Sequence, residues 1–485
     1  MNDPINPNST PIVKNTSSKK TRFFLTFIGS VIYSIGIAGC MCIGQFNVYI
    51  TSYVHKYDNT VDLQYGNLMS PIVTCSLALS APLGGILEKK IGMHFSLILS
   101  LLLVETMVAL LIYQTSMGII FLLLIFLGLS IGLGMPILVK NLMCFYPKKR
   151  GLVCALLPSC LIIVAASFSI IGEKIINPNQ ETLEGDEKFY KYDIAKNFIN
   201  YYKMILIVNP ISLLIGLLLQ RKFNPLLDNE NSENISTNIE NNNEPKKNAI
   251  NSQNLKAAIC NKRTWIICGM NILFVIIIEY LMNTFRVYGS LTHVNGAVMQ
   301  YAGAFIGLSS LIFAPSWGFI NDKISFTKTS KIIGILCLIH GLILTIFINN
   351  NVIYVICVFI ATLPAAGFRT ILQPHIMKVY GIKYSIEIGG VIGFFGGIKT
   401  LLLGFLSFAV AKFDPNGDNI QTIYRYIFIV GIVCCTFGLF LSTLEDESKF
   451  KYPFLEEDES GNLLNDSNLM GLATESTSEN SIINV

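Results

Sequence analysis

The sequence predicts an all-α membrane protein with 12 transmembrane helices arranged as two six-helix halves. Hydrophobic residues make up 52% of the 485 residues and charged residues only 14%, whereas a soluble domain carries about 25% charged residues. The apolar residues are collected in runs of about 20 or more, the length that crosses a bilayer as a helix. Basic clusters separate these runs at every second turn, which is typical of membrane hairpins with their loops on one side.

The predicted segments divide into two sets of six around a long polar stretch. The halves occupy 23–222 and 261–444. Between them, the Asn-, Ser- and Glu-rich stretch 223–260 lacks apolar periodicity, which predicts a disordered linker. Residues 1–22 form a polar tail and 445–485 an acidic one. The twelve segments are 24–53, 66–87, 95–114, 118–143, 151–172, 202–220, 263–288, 297–320, 331–349, 351–376, 384–411 and 423–443.

The positions of lysine and arginine predict the orientation of the chain in the membrane. The pairs Arg221/Lys222 and Lys262/Arg263 fall on the same side of the alternating scheme as the basic N-terminal tail. Cytoplasmic loops carry an excess of basic residues. We therefore predict a multi-pass membrane protein with both tails and the linker in the cytoplasm.

The acidic tail carries two short matches to sorting signals. Tyr452 begins the string YPFL, and the pair Leu463/Leu464 follows several acidic residues as in a dileucine signal. Such signals bind sorting adaptors and direct traffic through secretory or endosomal vesicles. The plasma membrane is the predicted location, with a vesicle membrane as the alternative.

Two similar loop sequences occur at the same place in the two halves. After the second segment the chain reads GILEKKIG, from Gly85 to Gly92, and after the eighth it reads GFINDKIS, from Gly318 to Ser325. Both strings resemble the G-x-x-x-D-[RK]-x-G loop of the major facilitator superfamily, although Lys89 stands where Asp is usual. The resemblance implies the major facilitator fold and a cytoplasmic charge latch between the halves. The gating residues it implies are Gly85, Lys89, Gly92, Gly318, Asp322, Lys323 and Arg150.

A second motif indicates a branch of that superfamily. The string FYPKKRGL, from Phe145 to Leu152, resembles the F-P-x-x-R-G-L turn of oxalate:formate antiporters and monocarboxylate porters. The twelve segments and the Asn-rich linker are also similar to those of protist pantothenate transporters. These resemblances imply alternating access of the two halves and a small organic anion as substrate. They imply proton symport for a monocarboxylate or pantothenate, and anion exchange for oxalate and formate.

Lys399 is the strongest candidate for a substrate-binding residue. It lies well inside the eleventh segment, and a charge there costs roughly 2.5–3.5 kcal/mol on insertion scales unless it has a partner or a water-filled cavity. In oxalate:formate antiporters a lysine in the eleventh helix binds the substrate carboxylate, and the resemblance implies this role for Lys399. A structural salt bridge to Glu279 or Glu105 is the alternative. The residue follows a glycine-rich face made of Gly389, Gly390, Gly393, Gly396 and Gly397.

Several other polar residues fall inside apolar segments. Arg369 in the tenth segment is a second candidate substrate cation, or else a residue near a helix end whose side chain reaches the interface. Glu279 in the seventh segment and Glu105 in the third are candidate proton carriers, or else neutral or paired structural acids. Further predicted substrate-binding residues in the first segment are Gln45, Asn47 and Tyr49.

The leading prediction is therefore a secondary active transporter whose partners are an organic anion, a proton or counter-anion, and the lipid bilayer. An oxalate/formate-type exchanger is one alternative. A non-transporting membrane sensor or scaffold is another, and the intramembrane charges Lys399 and Arg369 argue against it. The sequence contains no metal-ligand cluster, nucleophile elbow or phosphate-binding loop, so we predict no enzyme activity, no cofactor and no metal. We also predict no nucleic-acid partner.

Overall fold

The computed structural model describes residues 16–146, 149–179, 189–223, 252–292, 296–413 and 419–445, and within these every regular element is a helix. The predicted sorting signals lie outside the described residues. Eleven helical segments are long and apolar enough to cross a membrane. The eighth predicted segment forms the 28-residue helix Gly296–Lys323, about 42 Å long at about 1.5 Å per residue. An all-α membrane protein is therefore confirmed.

We number these eleven segments and the helix of the eighth predicted segment together as spans 1 to 12, in chain order. Span 8 is Gly296–Lys323. The other eleven, in order, are Lys19–Gly44, Leu63–Ile91, Met93–Leu111, Met117–Phe145, Arg150–Ile176, Tyr192–Leu219, Lys262–Phe285, Phe326–Phe347, Asn351–Gly381, Tyr384–Val410 and Ile420–Leu444.

Three of the predicted segments contain breaks that the hydropathy pattern does not show. In span 1 the helix Thr16–Met41 is followed by the 3-10 turn Cys42–Gly44, and a separate helix, Asn47–His55, lies beyond the span. Span 7 is broken between the helices Lys262–Leu273 and Ile276–Leu291, and the second helix continues beyond the end of the span. In span 10 the helix Asn351–Ile360 ends before Thr362, where the next helix begins. The remaining helical bounds are Leu63–Tyr65, Gly66–Ile91, Tyr192–Ala195, Phe198–Leu219, Ser252–Cys260 and Thr362–Phe413.

The turn between spans 10 and 11 depends on one glycine. Gly381 has a φ of 72° inside the helical stretch Thr362–Phe413, a left-handed conformation that costs glycine little because it has no Cβ. The chain therefore reverses direction here without leaving helical geometry for more than this residue. At other span starts a polar side chain caps the helix, because Asn261, Ser325 and Asn350 each accept a hydrogen bond from a backbone N–H of the first turn.

Glycines allow the helix backbones to approach closely, both within and between the halves. A Cβ at Gly128 or Gly132 of span 4 would collide with backbone carbonyls of span 2. Between the halves, Gly390 and Gly404 of span 11 lie against Pro82 and Pro71 of span 2. Without a hydrophobic driving force in lipid, such close van der Waals packing holds helices together. Spans 2 and 11 thus form one of the two seams between the halves, and spans 5 and 8 form the other.

The last part of the predicted linker is helical. Residues 224–251 lie outside the described part of the chain, but Ser252–Cys260 forms a helix. Its residues Leu255 and Ala258 pack against Ile376 and Tyr380 of span 10. Disorder was therefore a wrong prediction for these residues. The stretch is too short for its apolar residues to stand out, and the partner surface appears only when span 10 is folded.

Candidate functional site

Three charged side chains from different spans meet in the second half. Glu279 of span 7 accepts a hydrogen bond from Arg369 of span 10, with 2.9 Å between Oε1 and Nη2. Its other oxygen, Oε2, lies 2.7 Å from Nζ of Lys399 in span 11. In each of these three spans one end adjoins a basic loop. The charged residue lies about 12 to 17 residues from that end, which is roughly 18–26 Å along the helix. The cluster is therefore near the middle of the membrane.

The second contact of Lys399 comes from the backbone of span 7. Its Nζ donates to the carbonyl oxygen of Asn271 at 3.1 Å. The Asn271 side chain in turn donates to the carbonyl of Ile392 at 3.0 Å. A Cβ at Gly396 would lie 2.6 Å from that side-chain nitrogen, so a larger residue there would displace the Asn271 amide group. Gly396 thus leaves room for the Asn271 side chain, whose own backbone carbonyl binds Lys399.

The three side chains differ strongly in exposure. Lys399 is 4% exposed and Glu279 is 7% exposed, whereas Arg369 is 63% exposed. Two cations share one carboxylate, so the cluster carries a formal charge of +1 when all three groups are ionised. A net charge at this depth is costly unless an anion or water compensates it. Arg369 is the most exposed member of the cluster.

The sequence allowed two roles for Lys399, substrate binding or a structural salt bridge. The structure contains the salt bridge, with Glu279 as the partner. The ammonium group of Lys399 is already held by Glu279 and Asn271. Arg369, for its part, points towards Glu279 from the middle of span 10, and not towards a helix end. The structure thus brings together Glu279, Arg369 and Lys399 from the sequence-predicted set.

The other predicted residues lie in the first half. Glu105 of span 3 is next to Asn209 of span 6 and Cys40 of span 1. Gln45 is exposed at the break that follows span 1, and Asn47 lies against Gly66 at the start of the long helix of span 2. These positions are separate from the charge cluster of the second half.

Tyr49 belongs to a polar network at the far end of the first half. Its hydroxyl donates to Oε1 of Glu173 at 2.6 Å, and its ring lies 4.6 Å from that of Tyr190. Asn177 also approaches the hydroxyl, at 3.4 Å. These contacts tie the helix Asn47–His55 to span 5.

The repeated loop of the second half contacts the first half through backbone groups. The carboxylate of Asp322 accepts hydrogen bonds from the N–H groups of Gly151 and Leu152, at 2.9 and 3.0 Å. These two groups belong to the first turn of span 5, which begins at Arg150 and favours a negative charge. Gly318 lies directly against Gly151, where a Cβ would collide with backbone. The carboxylate of Asp322 thus joins the repeated loop of the second half to span 5 of the first half.

The loop of the first half forms a different kind of contact. Lys89 forms an ion pair with Glu387 of span 11 and lies over the ring of Tyr384, 5.1 Å from its centroid. Glu88 pairs with Lys140 of span 4 at 3.1 Å. Sequence reasoning missed Glu387, although the lysine in place of the usual Asp was a signal that the partner should be acidic.

The two remaining loop glycines have separate roles. Gly85 lies against Ile386, next to the ion pair. Gly92 has a φ of 83° and ends the helix of span 2. The seam between spans 2 and 11 is therefore closed at this end by glycine packing and one ion pair.

The ion pair of the first-half loop makes a charge-exchange test possible. Lys89→Glu places two carboxylates together at the seam, so we expect the rate of carrier-mediated uptake to fall roughly tenfold. The double variant Lys89→Glu/Glu387→Lys restores opposite charges and is expected to recover most of the rate. Uptake into proteoliposomes measures both.

Lys90→Glu is the matched control, because it makes the same change of charge at the exposed neighbouring residue. An equal loss in this control, or a double variant no better than Lys89→Glu alone, would rule out a specific role for the pair.

The fold resembles those of solved membrane transporters. The crystal structure of the human organic anion transporter MFSD10 (TETRAN) aligns with a TM-score of 0.56 at 12% identity, covering 86% of this chain and 99% of that one. A bacterial homologue of the iron transporter ferroportin, in an outward-facing state with soaked iron, aligns with a TM-score of 0.59 at 11% identity, covering 87% and 99%. At such identities the likeness shows the fold alone.

Sequence comparison agrees with the structural one. Among curated proteins, no sequence matches this chain significantly. The family model of the Major Facilitator Superfamily, however, matches residues 23–406. This match spans most of both halves, including the two repeated loops and the charge cluster. The chain therefore belongs to the Major Facilitator Superfamily.

Proposed function

We propose that this protein is a secondary active transporter that carries a small organic anion by alternating access of its two halves. The observation that carries the proposal is the cluster of Arg369, Glu279 and Lys399, in which two cations share one carboxylate. Binding of a substrate carboxylate supplies the negative charge that the cluster lacks. A monocarboxylate matches the single excess charge, and pantothenate is a specific candidate of this class.

Arg369 is the residue we place against the substrate. Its guanidinium is exposed while one of its nitrogens is held by Glu279, so the planar group is oriented before the anion arrives. A guanidinium can bind a carboxylate through two parallel hydrogen bonds. Lys399 then affects the substrate indirectly, through its ion pair with Glu279. Its direct contact with the substrate is secondary.

Glu279 provides a physical route to proton coupling. When it is ionised it competes with the substrate carboxylate for Arg369 and Lys399. When it is protonated it releases both cations, and the affinity for an anion rises. Proton and anion therefore favour each other's binding, and by linkage this coupling is reciprocal. Symport follows if the protein changes conformation with both bound or with neither.

Two contacts between the halves support alternating access as the mechanism. The Asp322 contact and the Lys89–Glu387 ion pair join the two halves at the same end of the molecule. We place this end in the cytoplasm, because the basic loops are collected there. Transport then requires both contacts to break when the protein opens inwards.

The plasma membrane is the proposed location.

Uptake into proteoliposomes tests the proposed function. The purified protein is expected to accumulate labelled pantothenate or a short monocarboxylate when the outside is more acidic, and to lose accumulation when the pH gradient is collapsed. Uptake that is independent of the pH gradient but requires an anion inside the proteoliposomes would show anion exchange. It would reject proton symport. Failure to move any organic anion would overturn the proposal.

A further inference from the structure

The end of span 6 forms a short strap across the first half. Residues 220–223 are not helical, yet their backbone is held by side chains from three other spans. His94 of span 3 contacts the carbonyl oxygen of Gln220 at 3.4 Å, and Asn141 of span 4 donates to that of Arg221 at 2.9 Å. Arg22 of span 1 donates to the carbonyl oxygen of Lys222 at 3.0 Å. We call residues 220–223 the basic strap.

The anchoring leaves the two cationic side chains of the strap exposed. Asn141 also accepts from the N–H of Phe223 at 2.9 Å, and the Phe223 ring packs on Phe145 at 5.3 Å. Arg221 and Lys222 are both exposed between these anchors. Together with His94, which is also exposed, they form a basic surface. This surface lies where spans 1 and 3 begin and span 6 ends. The basic strap thus holds cationic groups on a fixed backbone.

Two apolar stripes lead along the spans to this basic surface. On span 3 the exposed residues include Phe95 and Leu102, which are 69% and 57% exposed. On span 6 they include Leu214 and Leu218, at 62% and 65%. The spacings of seven residues on span 3 and four residues on span 6 place each pair on one helix face. Both faces lie in the membrane and end directly beside His94 and Arg221.

We propose that this surface binds one anionic phospholipid of the cytoplasmic leaflet, with its headgroup on the basic strap and its acyl chains along the stripes. The headgroup phosphate meets Arg221, Lys222 and His94, and the apolar stripes accept the chains. Basic pockets between spans on the cytoplasmic side are suited to anionic headgroups. This proposal rests on the orientation given above and is independent of the transported substrate.

Lipid binding to the purified full-length protein tests the proposal. Bound lipids are counted by native mass spectrometry while phosphatidylserine or phosphatidylcholine is titrated into neutral detergent. Wild type is expected to retain one phosphatidylserine in preference to phosphatidylcholine. Arg221→Ala/Lys222→Ala is expected to weaken that binding at least about tenfold, since each surface cation contributes about a fivefold factor. The backbone anchors of the strap remain, so thermal stability in lipid-free detergent is expected to be unchanged.

Lys262→Ala/Lys328→Ala is the matched control, because both lysines are exposed at the same end of the second half. Equal weakening in this control would overturn the proposal, as would unchanged binding in the strap variant. Equally tight binding of soluble glycerophosphoserine would show that the stripes hold no acyl chain. If a chain ending at Glu445 bound the lipid much more tightly than the full chain, the acidic tail would be the occupant, and the proposal would also fail.

Discussion

Glu279→Gln is expected to destabilise the folded protein by about 3–5 kcal/mol, the usual cost of removing one partner of a buried ion pair. Lys399 is only 4% exposed, so the substitution leaves an ammonium group buried without a counter-charge. The thermal unfolding transition of the purified protein in detergent measures the effect. The double variant Glu279→Gln/Lys399→Ala removes both buried charges and is expected to recover most of the lost stability.

Glu105→Gln is the control for this experiment. Glu105 is also an acid inside an apolar span, but it lies beside Asn209 and Cys40 and not beside the cations of the cluster. We expect this variant to lose about 1 kcal/mol or less. A Glu279→Gln variant as stable as the control would show that the ion pair does not hold the cluster together.

The double variant also separates the two roles proposed for the cluster. It keeps Arg369, so organic anions are expected to bind and exchange across the membrane. It lacks the carboxylate that competes for the cations, so accumulation is expected to become independent of the pH gradient. Full proton-driven accumulation in the double variant would remove Glu279 from the coupling mechanism and leave Glu105 as the remaining candidate.

Arg369→Ala is expected to raise the KM for the organic anion roughly 10- to 100-fold, because a hydrogen-bonded contact to a charged group is worth about 1.5–3 kcal/mol. The side chain is 63% exposed, so the free energy of unfolding is expected to change far less than in Glu279→Gln. Concentration-dependent uptake into proteoliposomes measures the KM. Arg369→Lys keeps the charge but loses the planar fork, and partial activity is expected.

Arg425→Ala is the matched control, since this arginine contacts Asn349 at 3.2 Å away from the cluster. Its KM is expected to match that of wild type. Wild-type uptake by Arg369→Ala, together with loss of uptake in Lys399→Ala, would restore Lys399 as the direct substrate contact. That is the role implied by the resemblance to oxalate:formate antiporters.

The sequence by itself determined the class of protein, eleven of the twelve predicted membrane helices and their division into two halves. These features depend on local quantities: the length of apolar runs, set by the thickness of the bilayer, and the placement of basic loops. The glycine-rich face of span 11 and the repeated loops were also visible, because both are short motifs. The candidate charges could be identified for the same reason, since any charge inside an apolar run stands out.

Only the tertiary structure decided which charges meet. Arg369 and Glu279 are 90 residues apart in the chain, and Lys89 and Glu387 are 298 apart. The sequence places a residue at a depth along its span, but the rotation of each helix and the neighbours it faces follow from packing between spans. That packing joined Lys399 to Glu279 and left Arg369 exposed, because spans 7, 10 and 11 each present one charged side chain to a neighbour from a distant part of the chain.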